Sequence, residues 1–194
     1  MSVKKETACR AATLLLAALL LQLAGALLAP HLELRVMSLW LVAAFYLLTA
    51  FSAWSLRCWL GTAGAILGVA VTCLLPAYDW PSGMVNVLIS LSYLVMYLPV
   101  QHAMDQVLSE NDVSRATLTI GRGWSVSLVI SRVASITAFL PYFEQQAEIS
   151  AAQGQFTLLF RIQLLLEIAA LVVGIVSYVF MVRYLWRARA LLRD

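Results

Sequence analysis

Six apolar runs, at residues 11–29, 36–56, 58–75, 84–103, 124–142 and 156–182, constrain this chain more than any other feature. Each is about as long as the roughly 20 residues a helix needs to cross a bilayer core. In lipid every backbone group must find its partner within its own helix. The runs therefore predict an all-α, polytopic membrane protein, six transmembrane helices in a single bundle. Only 12% of the 194 residues are charged and 62% are hydrophobic, against about 25% charge in a soluble domain. The runs use nearly all of the chain, which leaves no room for a separate soluble domain.

The formal net charge of +3 reads as topology rather than as a basic patch. Cytoplasmic loops are enriched in Lys and Arg. With the N-terminus inside and six crossings, Lys4, Lys5, Arg10, Arg57, Arg115, Arg122, Arg183, Arg187, Arg189 and Arg193 fall inside and Arg35 alone falls outside. This predicts a cell-membrane protein with both termini cytoplasmic. Trp40, Trp54, Trp59, Trp80, Trp124 and Trp186 stand near the ends of the runs, where an interfacial aromatic belt places them. Residues 1–29 have a basic start and a small-x-small triplet at Ala24-Gly25-Ala26. The apolar run continues past the triplet, so a retained first span is favoured over a cleaved signal peptide.

The connections are short. Ser109-Glu110-Asn111-Asp112 offers a helix N-cap with acids in the first turn. Gly121-Arg122-Gly123 then predicts a break before the fifth span, so a short surface helix and a hinge are expected there. Pro99 can kink the fourth span. Gly64 and Gly68 form a small-x-x-x-small pattern, read as close packing within the chain. Cys9, Cys58 and Cys73 make no C-x-x-C pair and are read as packing residues.

Charges inside a membrane are functional candidates by default. Arg132 and Glu167 both fall near mid-depth in antiparallel neighbours, which predicts a direct pair. Arg161 is close enough to an edge to snorkel outward. Gln22, Tyr46 and Tyr93 reach the same depth. The fourth span carries a polar stripe at helical spacing: Asn86, Ser90, Tyr93, Tyr97, Gln101 and Asp105. The sixth has Gln163, Glu167, Ala170, Gly174 and Ser177 on one face, and the fifth has Ser125, Arg132 and Ser135. Such faces must turn from lipid, which predicts a polar bundle interior.

That interior supports two readings. In one it is a solute site: Arg132 receives a carboxylate or phosphate, Glu167 an ammonium or a proton, and Tyr93, Gln22, Gln163 and Asn86 complete the ligand-binding set. In the other the same residues are structural, and the chain is a non-catalytic membrane subunit that packs on a membrane protein partner. An intramembrane enzyme is a third class without a motif. There is no H-E-x-x-H, G-x-S-x-G or Walker loop. His31 and His102 are assigned to opposite sides, so no metal site is expected. His102 and Asp105 are close enough in sequence for a proton-handling or capping contact. No cofactor is implied. The expected partners are the lipid bilayer, a small-molecule solute and another membrane protein, and the basic residues trace the membrane edge rather than a nucleic-acid face.

Overall fold

The computed structural model describes residues 5–74, 82–111, 115–140, 149 and 157–193. Every element among them is helical. The helices are α1 (Lys5–Leu28), α2 (Arg35–Ser55), α3 (Trp59–Leu74), α4 (Ser82–Glu110), α5 (Arg115–Ala138) and α6 (Leu158–Arg193), with a single 3₁₀ turn at Leu32–Leu34 before α2. Each helix packs on its chain neighbours, and α6 returns to pack on α1. The six thus form a closed up-and-down ring.

Four helices, α1, α2, α4 and α6, are long and apolar enough to cross a membrane. α3 is apolar but has only 16 residues, about 24 Å at 1.5 Å per residue. α5 has the length, but it carries three arginines and seven Ser or Thr residues. Its Thr117, Ser127 and Ser131 are buried, while Val126, Ile130 and Val133 point outward and are exposed; Arg115, Thr119 and Arg122, in its first turns, are exposed too. α6 likewise exposes Leu165, Leu171, Val172 and Ile175. Apolar outside and polar inside is the distribution that suits a lipid surrounding.

Small residues let the helices approach, since lipid provides no hydrophobic drive between them. α1 buries Ala8, Ala11, Ala12, Leu15, Ala18 and Leu19 along one face at helical spacing. Gly61 of α3 lies against Val100, and a Cβ on Gly64 would sit 2.5 Å from the backbone nitrogen of Met96. Gly68 lies on the ring of Tyr46. The glycine pattern of α3 therefore serves packing within the chain, as its spacing predicts.

The turn from α2 to α3 is tight. The Arg57 N–H donates to the Trp54 carbonyl and the Cys58 N–H to the Ala53 carbonyl, each at 2.8 Å. This closure puts Arg57 at φ 58°, a left-handed conformation that costs an L-residue roughly 1–2 kcal/mol.

Three sequence expectations change here. Among the described residues no surface helix and hinge precede α5: Ser109 and Glu110 end α4, and α5 runs unbroken from Arg115 through both glycines. Gly121 instead admits the Tyr184 ring and Gly123 faces Phe180. A helix tolerates a glycine at about 1 kcal/mol, and here close approach to α6 is the return. Trp124 is not in an outer belt. It is 1% exposed, between Tyr97 and Tyr184 at ring distances of 5.7 and 5.6 Å. Trp40, Trp54, Trp59 and Trp186 are exposed, whereas Trp80 lies outside the described residues. Cys58 is buried but Cys73 is exposed, so packing accounts for only part of the cysteine set.

Contacts between helices bring the basic residues to one end of the ring. Cys9 donates to the Arg189 carbonyl at 3.7 Å. Tyr184 donates to Asp105 at 2.5 Å, and Gly121 meets Tyr184. Lys5, Arg10, Arg57, Arg115, Arg122, Arg183, Arg187, Arg189 and Arg193 all belong to these segments or to the adjoining α2–α3 turn. Lys4 lies outside the described residues.

Candidate functional site

α4 and α5 meet through a ladder of polar pairs. Ser125 donates to Gln101. Arg132 stacks on Tyr93, its guanidinium carbon 4.2 Å from the ring centroid. Ser90 donates to Ser135 at 3.4 Å. The rungs run antiparallel at one register, which is why Ser125, Arg132 and Ser135 share a face. The middle of the α4 stripe is buried: Ser90, Tyr93, Tyr97 and Gln101 are all at least nine-tenths covered, while Asn86 and Asp105 at its ends are partly exposed.

The centre of the ladder opens on a cavity of about 40 Å³, lined by Gln22, Tyr93, Tyr97, Ser131, Arg132 and Ser177 among others. A single water needs roughly 10–15 Å³, so the space takes a few waters or one small polar group. Gln22 of α1 reaches in and donates from Nε2 to the Tyr93 hydroxyl at 2.5 Å. Ser131 turns to α6 and donates to the Ala170 carbonyl at 2.8 Å. Tyr178 donates to the Leu19 carbonyl at 3.0 Å, which ties α6 to α1 beside the same space.

Two buried polar atoms of the cavity wall have no hydrogen-bond partner: Nε of Arg132 and the hydroxyl of Tyr97. Buried polar groups are nearly always satisfied by protein or ordered water. The pair therefore marks a place where a guest can bond. A cation–π contact supplies only about 0.5–2 kcal/mol and leaves the guanidinium edges free to meet an anion.

The expected Arg132–Glu167 pair does not form. Among the described residues the ion pair within 4 Å is Glu6–Arg10 on the α1 surface. Glu167 instead accepts from Gln163 Nε2 at 3.1 Å. The α5–α6 register explains this. Gly121 stands against Tyr184, Gly123 against Phe180 and Ser131 against Gly174. At that pace Arg132 is level with Val172 or Val173 and Glu167 with Thr137, an offset of about five or six residues, roughly 8 Å along the axis.

The structure thus gathers Gln22, Tyr93 and Arg132 from the expected ligand set. Gln163, Glu167 and Asn86 do not line the cavity. Gln163 is buried, with its Oε1 unpartnered, in the N-terminal part of α6. Asn86 lies seven residues, about 10 Å, from Tyr93 along α4. Tyr46 touches Tyr93 edge-on at 6.1 Å. Arg161 is exposed, as snorkelling requires. His102 is exposed beside Gln106, while Asp105 accepts from Gln101 and Tyr184, so these two do not pair.

Tyr97, Ser131 and Ser177 are wall residues absent from the expected set. Tyr97 was readable from its position one turn beyond Tyr93 on the polar stripe. Ser177 was likewise readable from the polar face of the sixth span, whereas Ser131 needed the α5–α6 register, which spacing within one helix does not encode. Neither a protein-family model, nor a curated protein, nor a solved structure matches the chain.

Proposed function

We propose that the chain is a six-span integral protein of the cell membrane, with both termini cytoplasmic, that holds a small solute at the Arg132 cavity as a solute-binding or transport component. The observation that carries this is the pair of unpartnered atoms, Arg132 Nε and Tyr97 hydroxyl, at one polar cavity. An arginine stays charged when buried, and a charge within the membrane is costly unless it has a task. The outward apolar faces and the gathering of arginines at one end support the spans and their orientation. α3 and α5 cross as members of the ring, α5 with Ser127 and Ser131 buried and its exposed arginines at the basic end. No catalytic step is part of this reading.

A second reading, a non-catalytic subunit with a structural polar interior, is favoured by the small cavity volume. Thermal unfolding of the purified protein separates the two. On the solute reading, acetate or inorganic phosphate raises the midpoint of the wild type. Arg132→Met loses that response, and without ligand it is about as stable as wild type, because removal of a half-buried charge without a counter-ion offsets the lost contact with Tyr93. No anion response, together with a clearly destabilised Arg132→Met, would establish the structural reading instead.

A further inference from the structure

The α2–α3 turn places an arginine where the backbone favours glycine. Arg57 is the one non-glycine residue with positive φ among the described residues, at 58°, and glycine is the usual occupant of this helix-ending position. Backbone geometry gives no reason for an arginine, so the reason lies in the side chain. That side chain is exposed and flanked by Trp54 and Trp59, whose rings meet edge to face at 4.5 Å. Both tryptophans are more than half exposed.

Arg57 also stands between two clefts. One, of about 470 Å³, runs from the turn to α4 and has walls that include Leu60, Pro99, His102 and Val107. The other, of about 270 Å³, is lined by the Trp54–Trp59 pair, Cys58 and Thr62. Both open at the basic end of the ring. A guanidinium presents paired N–H groups that match a phosphate. Tryptophan prefers the boundary between headgroups and acyl chains. The larger cleft mixes the apolar Leu60, Pro99 and Val107 with the polar His102, Gln106 and Glu110, and the smaller is walled largely by the two tryptophans; a guanidinium common to both, with apolar surface beside it, suits an amphiphile with an anionic head.

We infer that the α2–α3 turn is a binding site for an anionic phospholipid, with Arg57 holding its phosphate and Trp54 and Trp59 holding the start of its acyl chains. The inference rests on the membrane placement but not on the Arg132 cavity, and the two sites are tested by different variants. Arg57→Gly is a clean probe because glycine suits the turn.

The test uses the full chain in detergent, titrated with phosphatidylglycerol, phosphatidylcholine or inorganic phosphate, with bound lipid counted by native mass spectrometry. Phosphatidylglycerol should bind the wild type about tenfold more tightly than Arg57→Gly, the scale of losing one charge-assisted contact. Phosphatidylcholine should not distinguish the two proteins, and Arg57→Lys should keep part of the preference. Without lipid, Arg57→Gly should melt no lower than wild type. Equal phosphatidylglycerol binding by both proteins would overturn the site. Displacement of the lipid by millimolar inorganic phosphate would overturn the lipid as its occupant and leave a soluble phosphate in its place.

Discussion

The guanidinium of Arg132 lies over the face of Tyr93, 4.2 Å from carbon to ring centroid, while the hydroxyl of the same ring accepts from Gln22. One side chain therefore joins α1, α4 and α5 at the heart of the ring. Its two functions are separable. Tyr93→Phe keeps the ring and loses the hydroxyl's contacts with Gln22 and Tyr46, at a cost near the roughly 0.6 kcal/mol average per interhelical bond in a membrane protein. Tyr93→Leu also strips the face from Arg132, and should cost about 0.5–2 kcal/mol more. Thermal or denaturant midpoints of the two variants test the order; equal losses would mean that the ring face contributes nothing.

Arg132 and Glu167 should behave as strangers. Their register offset and the Gln163 bond to Glu167 leave no direct contact to lose. In a double-mutant cycle built from Arg132→Gln and Glu167→Gln, the coupling should stay within about 0.5 kcal/mol. A larger coupling would place the two charges in contact.

Glycines of different surroundings should respond differently to a methyl group. At Gly64 a Cβ meets the Met96 backbone, and at Gly123 it meets only the Phe180 ring at 3.3 Å. Gly64→Ala should therefore force α3 from α4 and cost about 1–3 kcal/mol, the usual range for overpacking. Gly123→Ala should be mild or stabilising, because a helix prefers alanine. The comparison of melting midpoints fails the argument if Gly123→Ala is the worse of the two.

The proposed sidedness rests on the basic end of the ring. A reporter fused after Asp194 should read cytoplasmic, and one inserted in residues 76–83 should read the opposite side. Agreement between the two would sink the six-span proposal.

Much of the interior was legible because the membrane makes polarity expensive. Ser90, Tyr93, Tyr97 and Gln101 could only turn inward, and helical spacing identified them together. Gly64 and Gly68 announced close packing for the same reason. The beginning of α5 was not legible. Its first turns hold Arg115, Thr117, Thr119 and Arg122, too polar to read as part of an apolar run, so the fifth span was expected to begin at Trp124. Depths counted from that edge then put Arg132 level with Glu167. Trp124 misled in the same way: it sits at an apparent edge, but α5 starts nine residues earlier and carries it into the core. Interhelical register depends on which surfaces fit, and a hydropathy pattern in one helix does not contain it.

The return of α6 onto α1 sets an order for biogenesis. A chain emerging from the ribosome makes α1 first, and its Leu19 carbonyl contact from Tyr178 does not exist until α6 has been synthesised. During that interval the alanine face of α1 can meet only α2, lipid or an insertion factor. Gln22 reaches Tyr93 once α4 is in place, but the wall bearing Ser177 closes last. A nascent chain stalled after α5 should therefore hold a lateral gap between α1 and α5, and crosslinks from Leu19 to the insertion machinery should persist until α6 fills it.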